Sequence, residues 1–353
     1  MSKIISSMQK GLLPKLLLLS AVSLTVFQSC KKESALGIDN NKVVKTPYSL
    51  YAANEQGWLI TTTDGEQYRS IFPPDGYEVH SILTSGNNLL MLKQNLHLSS
   101  NEGKNFNPVY TQVKHFPWKS MIYDFPAHNA IYITSYQHKG VAVSKDQGKT
   151  WMADSAFAQG IPTNFEISSF AGLASNKIFA FSNLNNVLYC KQNEGAEWTP
   201  VTMQGLFPVD GTEFYLSSNN TFLYLTDYNG IGGVWYSEDE GQHWTKFGQG
   251  ALPKNHKWLS ANSVNQGQAF VVGTDSFGLY RIENHSFVSA NVGLEPYTSV
   301  YSISEKRNVY KNDAVKNYLF MGNNYGIYRS EDGGATWDKM TFAEWNGKYT
   351  ATY

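Results

Sequence analysis

Three carboxylates in this chain sit in near-identical surroundings: Asp146, Asp239 and Asp332 each follow a serine by two residues and precede a tryptophan by five. Recurring acids are the raw material of general acid–base chemistry. Two carboxylates facing each other across a cleft, about 5–5.5 Å or 6.5–9.5 Å apart, suffice to cleave a glycosidic bond. The other reactive groups are sparse. Four arginines (Arg69, Arg281, Arg307, Arg329), eight histidines and two cysteines (Cys30, Cys190) complete the set. The histidines show no metal-ligand spacing, so neither a metal nor a cofactor is expected. Neither a G-x-S-x-G nucleophile elbow nor a phosphate-binding glycine loop occurs. Cys190 lies in an alternating pattern with no nearby histidine to activate it, which reads as a buried structural thiol.

The acids belong to a repeat. Its closing aromatic is Tyr68, Phe106, Trp151, Trp198, Trp244, Phe287 and Trp337, and its acidic or amide position is Asp64, Asn101, Asp146, Asn193, Asp239, Glu283 and Asp332. A period of about 45 residues marks a repeat architecture. Around each turn the chain alternates apolar and polar with period two, as half-buried strands do. In the last unit this gives strands over 298–304, 318–322, 326–330 and 336–340, leaving 305–316 as a long loop. Four short strands per unit make a propeller blade. The first unit shows only 49–54, 57–62 and 67–72 and lacks an innermost strand, whereas 347–353 (Gly-Lys-Tyr-Thr-Ala-Thr-Tyr) is a strand pattern without a unit. The expected fold is an all-β, seven-bladed β-propeller of four-stranded antiparallel blades over 48–353. The C-terminal strand is expected to close the ring and so remove its open edges.

The ends and the charge bound the setting. Residues 1–29 combine Lys3, Lys10 and Lys15 with an apolar run over 16–27. That run spans roughly 18 Å as a helix, short of the roughly 30 Å hydrocarbon core, so a cleaved export signal is expected. Residues 30–47 are polar and aperiodic and read as a flexible tether. Removing the signal takes away three lysines and no acid, moving the net charge from −1 to −4. That balance points away from nucleic acid.

Two resemblances add to these readings. Phe27-Gln28-Ser29-Cys30 resembles the lipobox of bacterial lipoproteins, and Lys31-Lys32-Glu33 resembles the surface-export signal of Bacteroidetes lipoproteins. They imply acylation at Cys30 and an outer-membrane lipoprotein facing the periplasm or the cell surface, bound to the membrane through its N-terminal lipid alone. The turn S-x-D-x-G-x-T-W resembles the Asp-box of the bacterial neuraminidase (BNR) repeat family, over about 48–353. The family's Asp-box is structural, which implies staple roles for Asp146, Trp151, Asn193, Trp198, Asp239, Trp244, Asp332 and Trp337. The carboxylate can accept amide bonds across the turn. Gly148, Gly195, Gly241 and Gly334 can adopt φ > 0 there. The tryptophan packs between blades.

In that family the ligand face lies opposite the Asp-box turns. The resemblance therefore directs attention to the loops leaving each outermost strand and to those joining the two middle strands. They carry the ligand-binding candidates His115, Trp118, Tyr136, His138, Tyr228, Phe277, Tyr297, Tyr325 and Trp345, and the carboxylates Asp75, Asp154, Asp210, Asp227, Asp275, Glu295 and Glu344. Aromatic faces among amides and hydroxyls suit glycan or peptide recognition. Sialidases of the family clamp their substrate with an arginine triad and carry an Arg-Ile-Pro motif. With four arginines, two of them just before a turn, and no Arg-Ile-Pro, the chain does not fit that activity. It is also similar to photosystem II assembly-factor and sortilin-type propellers, which are binding proteins. The reading is a binding or assembly module of the cell envelope with a glycan or envelope-protein partner and no assigned catalytic residue. The alternative is a single-propeller glycoside hydrolase or lyase.

Overall fold

The computed structural model describes residues 50–55, 57–62, 68–72, 78–113, 122–135, 140–154, 156–158, 166–206, 208, 210–219, 221–231, 233–247, 257–264, 269–283, 286–340 and 349–352. The signal and tether, Cys30, His115, Trp118, Tyr136, His138 and Trp345 lie outside them, as do Asp75 and Glu344. Contacts divide the chain into two units, Pro47–Asn308 with Val315–Tyr353, and Met1–Thr46 with Val309–Ala314. The described part of the second is a tight turn, in which the Tyr310 amide donates to the Ala314 carbonyl and the Asp313 amide to the Tyr310 carbonyl, both at 2.9 Å.

The first unit is a seven-bladed β-propeller, each blade a four-stranded antiparallel sheet. Blade 1 runs Tyr349–Thr352, Leu50–Asn54, Leu59–Thr62, Tyr68–Phe72 from inside to outside. Blades 2 to 7 cover 81–110, 122–153, 169–201, 214–246, 258–289 and 300–339 in chain order. The C-terminal strand pairs antiparallel with Leu50–Asn54 (Ala52 opposite Thr352, Ala53 opposite Ala351), so the ring closes by joining the two ends of the fold. A single 3-10 turn, Pro126–His128, is the only helix among the described residues. The last blade differs most from the sequence reading, with its outer strand shortened to Asp338–Lys339 and its two inner strands lengthened. Residues 305–308 continue the strand Val300–Val309, and its partner begins at Val315, so Arg307 lies in a strand and not in a long loop. Charged side chains hid this extension because apolar alternation stops at Ser304, while backbone pairing does not require it.

The core is seven thin layers, one between each pair of neighbouring blades. Leu83 and Leu92 of blade 2, for example, pack on Ile131 and Ile133 of blade 3, and Leu50 and Ile60 of blade 1 pack on Phe320 and Ile327 of blade 7. The remaining interfaces repeat the arrangement. Second strands are therefore covered on both faces. Asn88–Leu92, Ile178–Ser182 and Leu223–Asp227 are buried at every residue, which explains their near-continuous apolar sequences.

The acidic turns hold these layers at one end. In blade 7, Asp332 Oδ1 accepts from the Ser330 hydroxyl (2.8 Å) and the Ala335 and Thr336 amides (2.9 Å each), while Oδ2 accepts from the Thr336 hydroxyl (2.7 Å). Asp146 and Asp239 are bonded in the same manner. The two residues after the acid are both left-handed: Gln147 and Gly148, Glu240 and Gly241, Gly333 and Gly334. At Gly241 a side chain has no room, since a Cβ would come within 2.2 Å of Leu188 on the previous blade. The tryptophans then cross the interface, Trp244 against Leu188 and Cys190, and Trp337 against Val271 and Leu279. Burial there pushes the Cys190 thiol up to about 11, which keeps it protonated.

Blade 4 departs from the pattern. Gly195 is not left-handed, contrary to expectation, and the serine position is Lys191. Its ammonium bonds both oxygens of Asp154 at 2.7 and 3.0 Å, and the Trp198 indole N–H donates to the same carboxylate at 2.9 Å. Asp154 is 6% exposed. A buried ion pair replaces the serine-and-acid turn, so this carboxylate is withdrawn from the ligand face where the sequence placed it.

For Asp332, burial raises the pKa, but bonds from the Thr336 side chain and amide, the Ser330 hydroxyl and the Ala335 amide outweigh it and hold the carboxyl down at about 2. A depressed folded pKa gives stability that is present above the unfolded value and lost as pH falls toward 2. Thermal denaturation from pH 5 to 2 will show a falling Tm. Asp332→Ala will flatten that fall and cost about 1–2 kcal/mol at neutral pH, as loss of a capping acid does; an unchanged pH slope in the variant contradicts this role.

Candidate functional site

Antiparallel order within a blade puts the acidic turns, which join the third and fourth strands, at one end. The loops joining the two middle strands, and the links to the next blade, leave from the other. At that other end three sequence candidates come together on blades 6 and 7. Phe277 lies in the short loop between Ala269–Thr274 and Leu279–Glu283, Tyr325 between Val315–Asn323 and Gly326–Ser330, and Tyr297 on the link between the blades. Ser276, Phe277, Gly278, Asn291, Leu294, Glu295, Pro296, Tyr297 and Thr298 line an open cleft of about 300 Å³. The Tyr325 hydroxyl donates to the Pro296 carbonyl at 2.9 Å and so borders the same loop.

The loop is held by side-chain amides that sequence reasoning missed. Asn291 accepts from the Leu279 amide (2.7 Å) and donates to the Phe277 carbonyl (3.0 Å). Asn324 accepts from the Ser299 amide (2.8 Å) and donates to the Tyr297 carbonyl (3.3 Å). The Gly278 amide donates to the Thr298 carbonyl and the Ser276 amide to the Ser299 hydroxyl. These are short-range turn residues by type, and only their pairing across two blades reveals the bracket they form. The signal available in sequence was weak: Asn324 directly precedes Tyr325, but Phe277 and Tyr297 have no asparagine beside them, and an asparagine before an aromatic is equally the signature of an ordinary turn.

Tyr297 is the exceptional residue. It is 77% exposed, and its backbone is left-handed at φ 62°. A bulky side chain rarely adopts that conformation, and strain of this kind concentrates at functional positions. Phe277 beside it is 46% exposed. Exposed rings gathered at one cleft mark an interaction site better than the same groups scattered would.

The carboxylates proposed for this face are all engaged where they are described, except that Asp210 is simply exposed. Asp227 is fully buried and caps the Glu213 and Asn229 amides at 2.8 and 3.1 Å. Asp275 accepts from the Ser299 and Ser276 hydroxyls at 2.8 and 3.3 Å. Glu295 accepts from the Tyr328 hydroxyl and from Lys339 Nζ at 3.4 Å. Tyr228, the fourth described aromatic candidate, stands on blade 5 under the Lys257 ammonium, 5.3 Å from its ring centre. The Lys257 carbonyl accepts the Asp275 amide, which connects it through the backbone to the cleft. The arginines serve elsewhere, Arg281 paired with Glu283 at 2.6 Å and Arg329 with Glu331 at 3.1 Å. Among the described residues no cluster of three or more His, Cys, Asp or Glu is arranged to hold a metal.

No protein-family model matches the chain, and no curated protein matches it. Solved structures do. YCF48 bound to D1 peptide superposes with a TM-score of 0.52 at 12% identity, over 85% of this chain and 91% of that one. An ancestral GH74 enzyme gives 0.55 at 15% identity, over 88% of this chain and 54% of that one. The extracellular domain of BT4673 from B. thetaiotaomicron gives 0.57 at 13% identity, over 81% and 37%. All are β-propellers. At these identities the likeness is one of fold.

If Tyr297 is kept for its ring and not for folding, Tyr297→Gly will raise stability by about 1 kcal/mol by relieving the left-handed strain. Urea denaturation measures this; a destabilised glycine variant shows instead that the ring supports the loop.

Proposed function

We propose that this chain is a binding or assembly module of the cell envelope that takes its ligand on the face opposite the acidic turns. The observation that carries this reading is the cleft on blades 6 and 7, where exposed aromatic rings stand on a loop braced from both blades. Preorganised aromatics beside satisfied amides lower the cost of binding. A hydrolase needs a carboxylate pair free to exchange protons with substrate, whereas Asp154, Asp227, Asp275 and Glu295 are bonded within the protein. The similar fold of YCF48, solved bound to D1 peptide, supports a propeller that binds a partner, by analogy of architecture only.

Full-length protein screened on glycan and envelope-peptide arrays will show a ligand whose signal drops about tenfold or more in Phe277→Ala. It will hardly change in Lys145→Ala, on the opposite end. The reverse dependence contradicts the assignment of the face, and cleavage products from any bound glycan contradict the binding-only reading.

The envelope setting rests on the signal and on Cys30. Cys30→Ala will move the protein from the membrane fraction to the soluble fraction; continued membrane retention counts against the lipid anchor.

A further inference from the structure

The cleft on blades 6 and 7 carries enough chemistry to name its ligand class, on the premise that it is the binding surface proposed above. Tyr297 lines the cleft with most of its surface exposed and is held in a left-handed conformation by its loop. Phe277 forms a second apolar wall, and Leu294 and Pro296 add to the apolar part of the lining. A flat aromatic face offers stacking area at low entropic cost, because two side-chain torsions are all it must fix.

The lining holds one carboxylate, Glu295, and Lys339 lies 3.4 Å from it. Asp275, behind Ser276, accepts two hydroxyl bonds. No unmatched charge therefore selects an ionic ligand. Carboxylate oxygens that still face solvent can accept hydroxyl donors, since each oxygen has more than one lone pair.

The Ser276, Gly278, Leu279, Leu294 and Ser299 amides all donate within the loop. A peptide that docks by adding a strand needs free backbone donors along an edge. These donors are spent, so recognition here falls to side-chain faces and hydroxyl acceptors.

We propose that this cleft is a subsite for an uncharged pyranose ring, stacked on Tyr297 against Phe277, with its hydroxyls reaching the Glu295 carboxylate and the Tyr325 hydroxyl. The volume is at the low end for ligand clefts, in keeping with about one or two sugar rings of a longer chain.

Isothermal titration of the full-length protein with cello-, manno-, xylo- and malto-oligosaccharides, each at low and high salt, tests this. At least one will bind with an affinity insensitive to salt, because no ion pair is involved. Tyr297→Ala will weaken it about tenfold or more, and Tyr297→Phe by less than about threefold. Tyr297→Gly, which leaves the backbone relaxed, will lose binding while the thermal transition remains, so the loss will not reflect unfolding. Binding that survives Tyr297→Ala, binding confined to uronic-acid or sulfated oligosaccharides, or failure of every neutral oligosaccharide to bind overturns the proposal. A peptide that binds in a Phe277-dependent way overturns the sugar but leaves the binding face in place. A ligand indifferent to every substitution on this rim overturns both.

Discussion

A four-stranded blade has two apolar faces and cannot cover either by itself, and every other feature of this molecule follows from that constraint. Each face is buried only by the next blade, so the hydrophobic core is divided into seven layers. The ring must close for the last layer to exist. The pairing of Tyr349–Thr352 with Leu50–Asn54 meets that need by completing blade 1 from the far end of the chain. Its consequence is the packing of Leu50 and Ile60 against Phe320 and Ile327, the layer between blades 7 and 1.

The acidic turns solve a related problem at the rim. An outer strand of two residues, such as Thr245–Lys246 or Asp338–Lys339, has too few ladder bonds to position itself. The carboxylate gathers several donors of the turn, and the left-handed pair that follows folds the chain tightly enough to set the tryptophan across the interface. Backbone bonds then tie neighbouring outer strands. The Trp337 amide donates to the Val292 carbonyl, and the Trp244 amide to that of Gln204. A Cβ at Gly293 would lie 2.0 Å from the Trp337 carbonyl, so this approach admits glycine alone. Blade 4 reaches the same end with Lys191, Asp154 and Trp198, trading a turn of local bonds for a buried ion pair between segments far apart in sequence.

With one end committed to holding blades together, the other is free to vary. The described link between blades 6 and 7 carries one exposed ring, Tyr297. Asn291 and Asn324 brace one link against the loops of both flanking blades, so that an exposed Tyr297 is held in a conformation a lone loop would leave. Rigidity at this end is therefore lent by the propeller and spent on presentation of side chains.

Period and pattern are local properties, and so the seven units, their four strands and the missing inner strand of the first could be read from residue order. Positions such as Asp332 and Trp337 were legible as a set because the same short-range geometry recurs in each copy. Aromatics at 277, 297 and 325 could be named as candidates, but not as neighbours. The role of Asp154 was misread, because a carboxylate after an outer strand looks the same whether it meets water or Lys191. The left-handed backbone of Tyr297 and the bracket of Asn291 and Asn324 had no local signature, since both arise from bonds between two blades. Sequence by itself determined the count and order of the blades, which depend on contacts within about one repeat, and it pointed to closure because the first unit lacked a strand and the C-terminal pattern lacked a unit. Tertiary structure alone decided which polar groups are spent inside the protein and which rings share a cleft, because burial and pairing across blades are settled only once the ring has closed.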